Sequence, residues 1–276
     1  MADSRPIGVF DSGVGGLSVL RHLQAALPHE HLLYIADQAH IPYRNHSLET
    51  VYQFSKGITE FLLAHHAKMI VIACNKASGA ALTQLRLDYP HIPFVGMEPA
   101  VKPAAENTRT KRVAVLATAG TFESERYTRL MDQYAQGVTV WEDPCIGLVE
   151  MVEAGQVDTP ETERLLERVL YPMLANGVDT VVLGCTHYPF VESVIARVVG
   201  TAVTIIDPAP AVARQTVHVL HQHHLQTNAV PPGSLRLITS GAAPALAAVA
   251  AQLIGYQGTV ETAVWQPQHP LQLTIP

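Results

Sequence analysis

A chain of 276 residues is long enough for one large domain or two medium ones with proper cores. Hydrophobic residues at 48% and charged residues at 15% exclude a disordered chain, while a net charge of −6 without any lysine or arginine block excludes the electrostatic footprint of a nucleic-acid or membrane-surface binder. Three cysteines, Cys74, Cys145 and Cys185, are too few for a disulfide framework and point to a reducing compartment.

Strands and helices alternate along the chain. Residues 7–10 read as a buried strand, 11–16 as a turn and 17–27 as an amphipathic helix with Leu17, Leu20, Leu23 and Leu27 at helical spacing. Residues 31–36 form the next strand and 37–45 a loop, after which Ser47, with Glu49 and Thr50, opens a helix to about 67. A strand at 69–73, a helix to about 87 and a short strand at 94–97 follow. Residues 99–110, rich in Pro, Ala, Asn and Lys, read as an inter-domain crossing. The rhythm restarts with a strand at 112–116, a helix at 124–136, a strand at 138–142 and a short helix at 147–154. A longer helix at 159–176 carries its cap and first-turn signals in Thr159 and Pro160. Next come a strand at 180–183, a helix from about 191, a strand at 203–206 and a helix to about 225. The tail adds a strand at 235–239, a helix at 244–254 and a strand at 259–265.

Strands regularly separated by helices predict βαβ units, hence an α/β fold of two similar lobes with mostly parallel sheets. Residues 1–99 plus 208–276 are expected in the first lobe and 100–207 in the second, with 207–209 as the crossing back. Residues 1–6 are polar and lack the regions of a signal peptide, and no apolar run reaches membrane-spanning length, so a cytoplasmic protein is expected.

Two strands end in a cysteine followed by polar residues: 69–73 leads to Cys74-Asn75-Lys76, and 180–183 through Gly184 to Cys185-Thr186-His187. The carboxyl edge of an open α/β sheet is where ligands bind, so two cysteines in that setting suggest a working pair. Cys74 stands at a helix start, where the dipole is expected to lower a thiol pKa. His187 is close enough in sequence to exchange protons with Cys185 or with a substrate. Asp11-Ser12-Gly13-Val14-Gly15-Gly16 has neither the P-loop pattern nor the dinucleotide spacing, so it reads as a tight turn bringing Asp11, Ser12 and helix-end N–H groups to the same edge. No C-x-x-C suggests zinc. His218, His221, His223 and His224, like His65/His66 and Asp158/Glu161, read as solvated helix ends, and no metal is expected.

Phe10 to Gly16, Ala73-Cys74-Asn75, Ala117-Thr118-Ala119-Gly120-Thr121 and Leu183 to Pro189 resemble the signature segments of the bacterial glutamate racemases, in that family's order over nearly the whole chain. Residues 34–43 and 149–155 match more loosely. The resemblance implies a cofactor-independent isomerase with its active site in the cleft between two pseudo-symmetric lobes, interconverting L- and D-glutamate and supplying D-glutamate for peptidoglycan. It makes Cys74 and Cys185 the acid/base pair, with Asp11 assisting Cys74, and Glu153 and His187 assisting Cys185. Ser12, Pro42, Tyr43, Asn75, Thr118, Thr121 and Thr186 fall at substrate-contact positions. Lys76 and Arg44 stand where the family has Thr and Gly, and are placed in the substrate site too. The expected partner is a small acidic amino acid, with no nucleic acid and no membrane; a homodimer is left open. Two other readings remain: a relative whose pocket Lys76 and Arg44 reshape for another acidic substrate, and a non-catalytic binding protein, against which the two intact thiols argue. A Schiff-base role for Lys76 with pyridoxal phosphate would need a phosphate site that the glycine turn does not provide.

Overall fold

The computed structural model describes residues 3–227, 232–266 and 272–275. The chain divides into two compact units, Met1–Met97 with Ala209–Pro276, and Glu98–Pro208. In the first, β1 (Ile7–Asp11), α1 (Leu17–Ala26), β2 (Leu32–Ala36), α2 (Leu48–Ala64), β3 (Met69–Ile72), α3 (Asn75–Asp88) and β4 (Phe94–Val95) follow in order. Every residue of β1, β2 and β3 is buried, as near-continuous apolar strands are when helices cover both faces of a parallel sheet. The Ser47 hydroxyl caps α2 by accepting the Thr50 N–H, a contact typically worth about 1 kcal/mol. Leu17, Leu20 and Leu23 form the buried stripe of α1.

The second unit holds α4 (Val101–Asn107), β5 (Arg112–Leu116), α5 (Ala119–Phe122), α6 (Glu125–Tyr134), β6 (Thr139–Asp143), α7 (Leu148–Glu153), α8 (Pro160–Ala175), β7 (Thr180–Leu183), α9 (Glu192–Val199) and β8 (Thr204–Ile206). Ser124 caps α6, and Thr159 caps α8 with Pro160 in its first turn. The chain then returns with α10 (Ala209–Gln222), β9 (Leu235–Thr239), α11 (Ala243–Ile254), β10 (Val260–Thr262), β11 (Val264–Gln266) and β12 (Gln272–Thr274).

Both main sheets are wholly parallel. The first runs β10-β9-β2-β1-β3-β4, so the tail strand β9 pairs directly with β2; the second runs β6-β5-β7-β8. Strands β11 and β12 form a separate antiparallel pair.

Three local expectations are corrected. The crossing at 99–110 contains the helix α4, whose Val101 and Ala104 are buried with Val113, Val115 and Val182. Pro103 does not prevent it, because Pro103 sits in the first turn, where no intrahelical N–H bond is needed. A short α5 precedes α6. The strand at 259–265 is two strands: β10 pairs with β9 and β11 with β12, the break falling at Ala263, whose N–H bonds the Thr239 carbonyl.

A buried charge immediately precedes each cysteine-bearing strand. Lys68, before β3, donates its ammonium to Glu30 Oε2 and to the Asp3 carbonyl, each at 2.6 Å. Asp179, before β7, accepts from the Thr108 hydroxyl at 2.6 Å and from the N–H groups of Arg109 and Thr110 at 2.7 and 2.9 Å. Burial works against the Asp179 carboxylate, but these donors outweigh it and hold its pKa down at about 2. Among the described residues, no helix is long and apolar enough to cross a membrane.

Candidate active site

In the first unit, the residues of interest gather at the carboxyl edge of the sheet. Asp11 ends β1, and Phe10 is in register with Ile72 of β3, so Asp11 and Cys74 emerge from neighbouring strands. The turn after β1 closes on Asp11, whose Oδ2 accepts the Gly16 N–H at 2.7 Å, while the Tyr34 hydroxyl donates to the Gly13 carbonyl. Only glycine fits at position 16: a Cβ there would lie 2.6 Å from Asp11 Cβ and 2.8 Å from the Tyr34 hydroxyl. The glycine turn is therefore spent on placing Asp11 and Ser12.

Cys74 is the N-cap of α3. Its Sγ accepts the Ala77 N–H at 3.5 Å and donates to Ser12 Oγ at 3.8 Å. The Ala77 N–H at the helix start favours the thiolate as expected, but it does not decide the outcome. Burial and the negative charge of Asp11 push the Cys74 pKa well above its ordinary value and outweigh the Ala77 and Ser12 contacts. Beside it, the buried Asn75 side chain leaves both its Nδ2 and Oδ1 without a hydrogen-bond partner. Lys76 is buried as well, whereas Arg44 is exposed on the short helical turn Tyr43–Asn45.

In the second unit, Leu116 of β5 is in register with Leu183 of β7 and with Asp143 of β6. The segments holding Thr118, Cys145 and Cys185 thus leave the same sheet edge. Gly184 lets β7 end tight against β5, since a Cβ there would sit 2.8 Å from Ala117 Cβ and 2.9 Å from the Leu116 carbonyl oxygen. Cys185 Sγ lies 3.7 Å from His187 Nδ1, and His187 Nε2 lies 2.7 Å from Glu153 Oε1 at the end of α7. Burial of the imidazole disfavours its charge, but the hydrogen bonds to Cys185 and Glu153 prevail and raise the His187 pKa well above the usual value. Thr118 and Thr121 share a 3.2 Å hydrogen bond between their hydroxyls, and Thr121 and Thr186 are buried.

The structure therefore gathers Asp11, Ser12, Cys74 and Asn75 in one unit, and Glu153, Cys185 and His187 in the other. Tyr43, next to Pro42, joins the first group through an unanticipated hub, the fully buried Asp37, whose N–H bonds the Asp11 carbonyl. The Asp37 carboxylate accepts from Tyr43 Oη at 2.7 Å, Ser240 Oγ at 2.6 Å and Trp265 Nε1 at 2.7 Å, and contacts His40 Nδ1 at 2.9 Å. Burial first, then the Asp37 charge, raises the Tyr43 pKa, so its phenol stays protonated and donating. The signal for Asp37 was its place directly after β2, one residue beyond the register position that Asp11 holds on the neighbouring β1. Cys145 was passed over although it too follows a strand, β6; it is buried, with its N–H on Asp143 Oδ1 at 2.7 Å. Among the described residues, no group of three or more His, Cys, Asp or Glu is placed to hold a metal ion, the histidines of α10 and the turn after it included.

Residues 7–216 match the family model of Asp/Glu/hydantoin racemases. A glutamate racemase of Ectopseudomonas mendocina is 49% identical over 255 residues, 92% of this chain and 97% of that protein. Among solved structures, a glutamate racemase isoform of Bacillus anthracis has a TM-score of 0.82 at 32% identity, covering 93% of this chain and 96% of that one. A glutamate racemase of Thermus thermophilus, solved with β-chloro-D-alanine, has a TM-score of 0.81 at 34% identity, covering 96% and 98%. These likenesses make the chain a racemase, and so an isomerase. It belongs to the Asp/Glu/hydantoin racemase family, alongside the glutamate racemases.

Proposed function

We propose that this racemase interconverts L- and D-glutamate by proton transfer at Cα, with two thiols and no cofactor. One observation carries the reading: each unit places a buried cysteine just beyond a parallel strand and gives it its own carboxylate, Asp11 beside Cys74 and Glu153 behind His187 at Cys185. One thiolate takes the Cα proton from one face, and the opposite thiol delivers its proton to the other face. The product leaves with inverted configuration, and the two sulfurs have exchanged protonation states. The next turnover in the same direction needs the proton pattern reset, which the flanking Asp11 and His187–Glu153 groups assist.

An amino-acid Cα proton is weakly acidic without an electron sink, so the carbanion-like transition state needs oriented donors on the α-carboxylate in a water-poor site. Ser12, Asn75, Thr118, Thr121 and Thr186 are the donors assigned to the substrate's amino-acid end, and the Pro42-Tyr43 segment is assigned to the substrate as well. The cytoplasm is the proposed place of action, with D-glutamate going to peptidoglycan. The test is to follow the circular dichroism of L- and of D-glutamate with the reduced protein. Both signals should decay to zero. Binding of glutamate without decay would instead favour the non-catalytic reading.

A further inference from the structure

Two lysines are buried in the first unit, and their surroundings differ completely. Lys68 is 2% exposed, with its ammonium held by the Glu30 carboxylate and the Asp3 carbonyl. Lys76 is 8% exposed and, among the described residues, its side chain makes no hydrogen bond or ion pair. The Lys76 stem is covered and its charge has no partner among the described residues, and a cation in the first turn of a helix opposes the helix dipole. The neighbouring Asn75 amide, with both polar atoms enclosed and unpartnered, adds a second unfavourable feature at the same turn. The Lys76 amine itself is not fully enclosed. Both features fall on the residues directly following the thiol Cys74, and an anionic group with acceptor oxygens would answer the Lys76 charge and the Asn75 Nδ2 donor.

We infer that Lys76 reads the side-chain carboxylate of the amino-acid substrate and so selects acidic over neutral amino acids. The assignment rests on the racemase reading above and adds which carboxylate is recognised and by what. Ser12 and Asn75 have short side chains that suit groups close to Cα. The four-carbon stem of lysine carries its charge farther from the helix turn, to a carboxylate remote from Cα. A charge-assisted contact made equally to substrate and transition state appears in KM rather than in kcat.

The test compares wild type with Lys76→Met, Lys76→Gln and Lys76→Arg on L-glutamate and L-glutamine, reading solvent deuterium entering Cα, and measures glutarate binding by calorimetry. Both uncharged variants should lose roughly ten- to a hundredfold in kcat/KM on glutamate, mostly through KM, and bind glutarate at least about tenfold more weakly. The loss on glutamine should be far smaller than on glutamate, and Lys76→Arg should retain part of the preference. Equal losses on both amino acids, or an unchanged glutamate-to-glutamine ratio, would overturn the assignment. If the wild type does not act on glutamate, the racemase reading fails separately. Glutarate affinity then decides the role of Lys76, with equal affinity in wild type and both uncharged variants rejecting it.

Discussion

The two thiols stand at equivalent strand ends and are handled in opposite ways. Cys74 faces a carboxylate: burial and the Asp11 charge keep it a thiol, with only the Ala77 N–H and Ser12 hydroxyl pulling the other way. Cys185 faces an imidazole, and the Glu153 carboxylate behind it helps His187 keep its proton. One thiol thus rests beside a negative neighbour and the other beside a positive one. A two-thiol racemase needs one acid and one base at any moment, and in the proposed mechanism the different neighbours of Cys74 and Cys185 serve that division.

The largest effect should come from removing either thiol. Cys74→Ser or Cys185→Ser should lower racemisation by at least about a thousandfold while leaving the fold intact, because a serine hydroxyl is a far poorer acid and base near neutral pH. Circular dichroism of glutamate gives the rate, and thermal unfolding checks the fold. Near wild-type racemisation by either variant would end the two-thiol account.

The strand starts offer a test of stability that leaves the chemistry alone. Glu30→Ala strips the main partner from Lys68 before β3, and breaking a buried pair in this way costs about 3–5 kcal/mol. Asp179→Asn before β7 should cost about 1 kcal/mol at neutral pH, because solvent screens part of the charge-assisted contacts. The sign follows from a folded pKa near 2, below the unfolded one: the Asp179 contribution is present above about pH 4 and is lost as pH falls through 2. Denaturant unfolding at pH 7 and at pH 2 measures it, and the wild-type and Asp179→Asn curves should converge at the lower pH.

A smaller effect is expected from His187→Asn. Without the imidazolium beside Cys185, kcat should fall roughly ten- to a hundredfold, and the acid limb of the pH–rate profile should move to higher pH. Asp11→Asn should act least at neutral pH and at the other limb. Removing a negative neighbour lowers the Cys74 pKa, so the alkaline limb should move to lower pH. Opposite shifts in the two variants would sharpen the comparison; shifts in the same direction would break it.

Much of this was legible in the sequence, because apolar runs ending in Gly or Cys mark buried parallel strands whose ends carry function. Elements short enough to escape periodicity were not. Helix α4 hid in a stretch rich in Pro and Asn, and the break at Ala263 depends on which strand each half finds as partner. The Asp37 hub draws donors from His40, Tyr43, Ser240 and Trp265, a convergence that exists only after β9 has joined β2. The protonation of Cys74 was misjudged for a related reason. Helix position can be read from sequence, whereas the burial and the approach of Asp11 that override it are tertiary.

The central claim is that two different groups act on the two faces of Cα, and heavy water tests it most directly. With L-glutamate as substrate in deuterium oxide, the D-glutamate formed early should carry one deuterium at Cα while the remaining L-glutamate stays protiated, and the reverse should hold starting from D-glutamate. Deuterium appearing at equal rates in substrate and product, or product keeping the original proton, would mean that a single group serves both faces and would contradict the account.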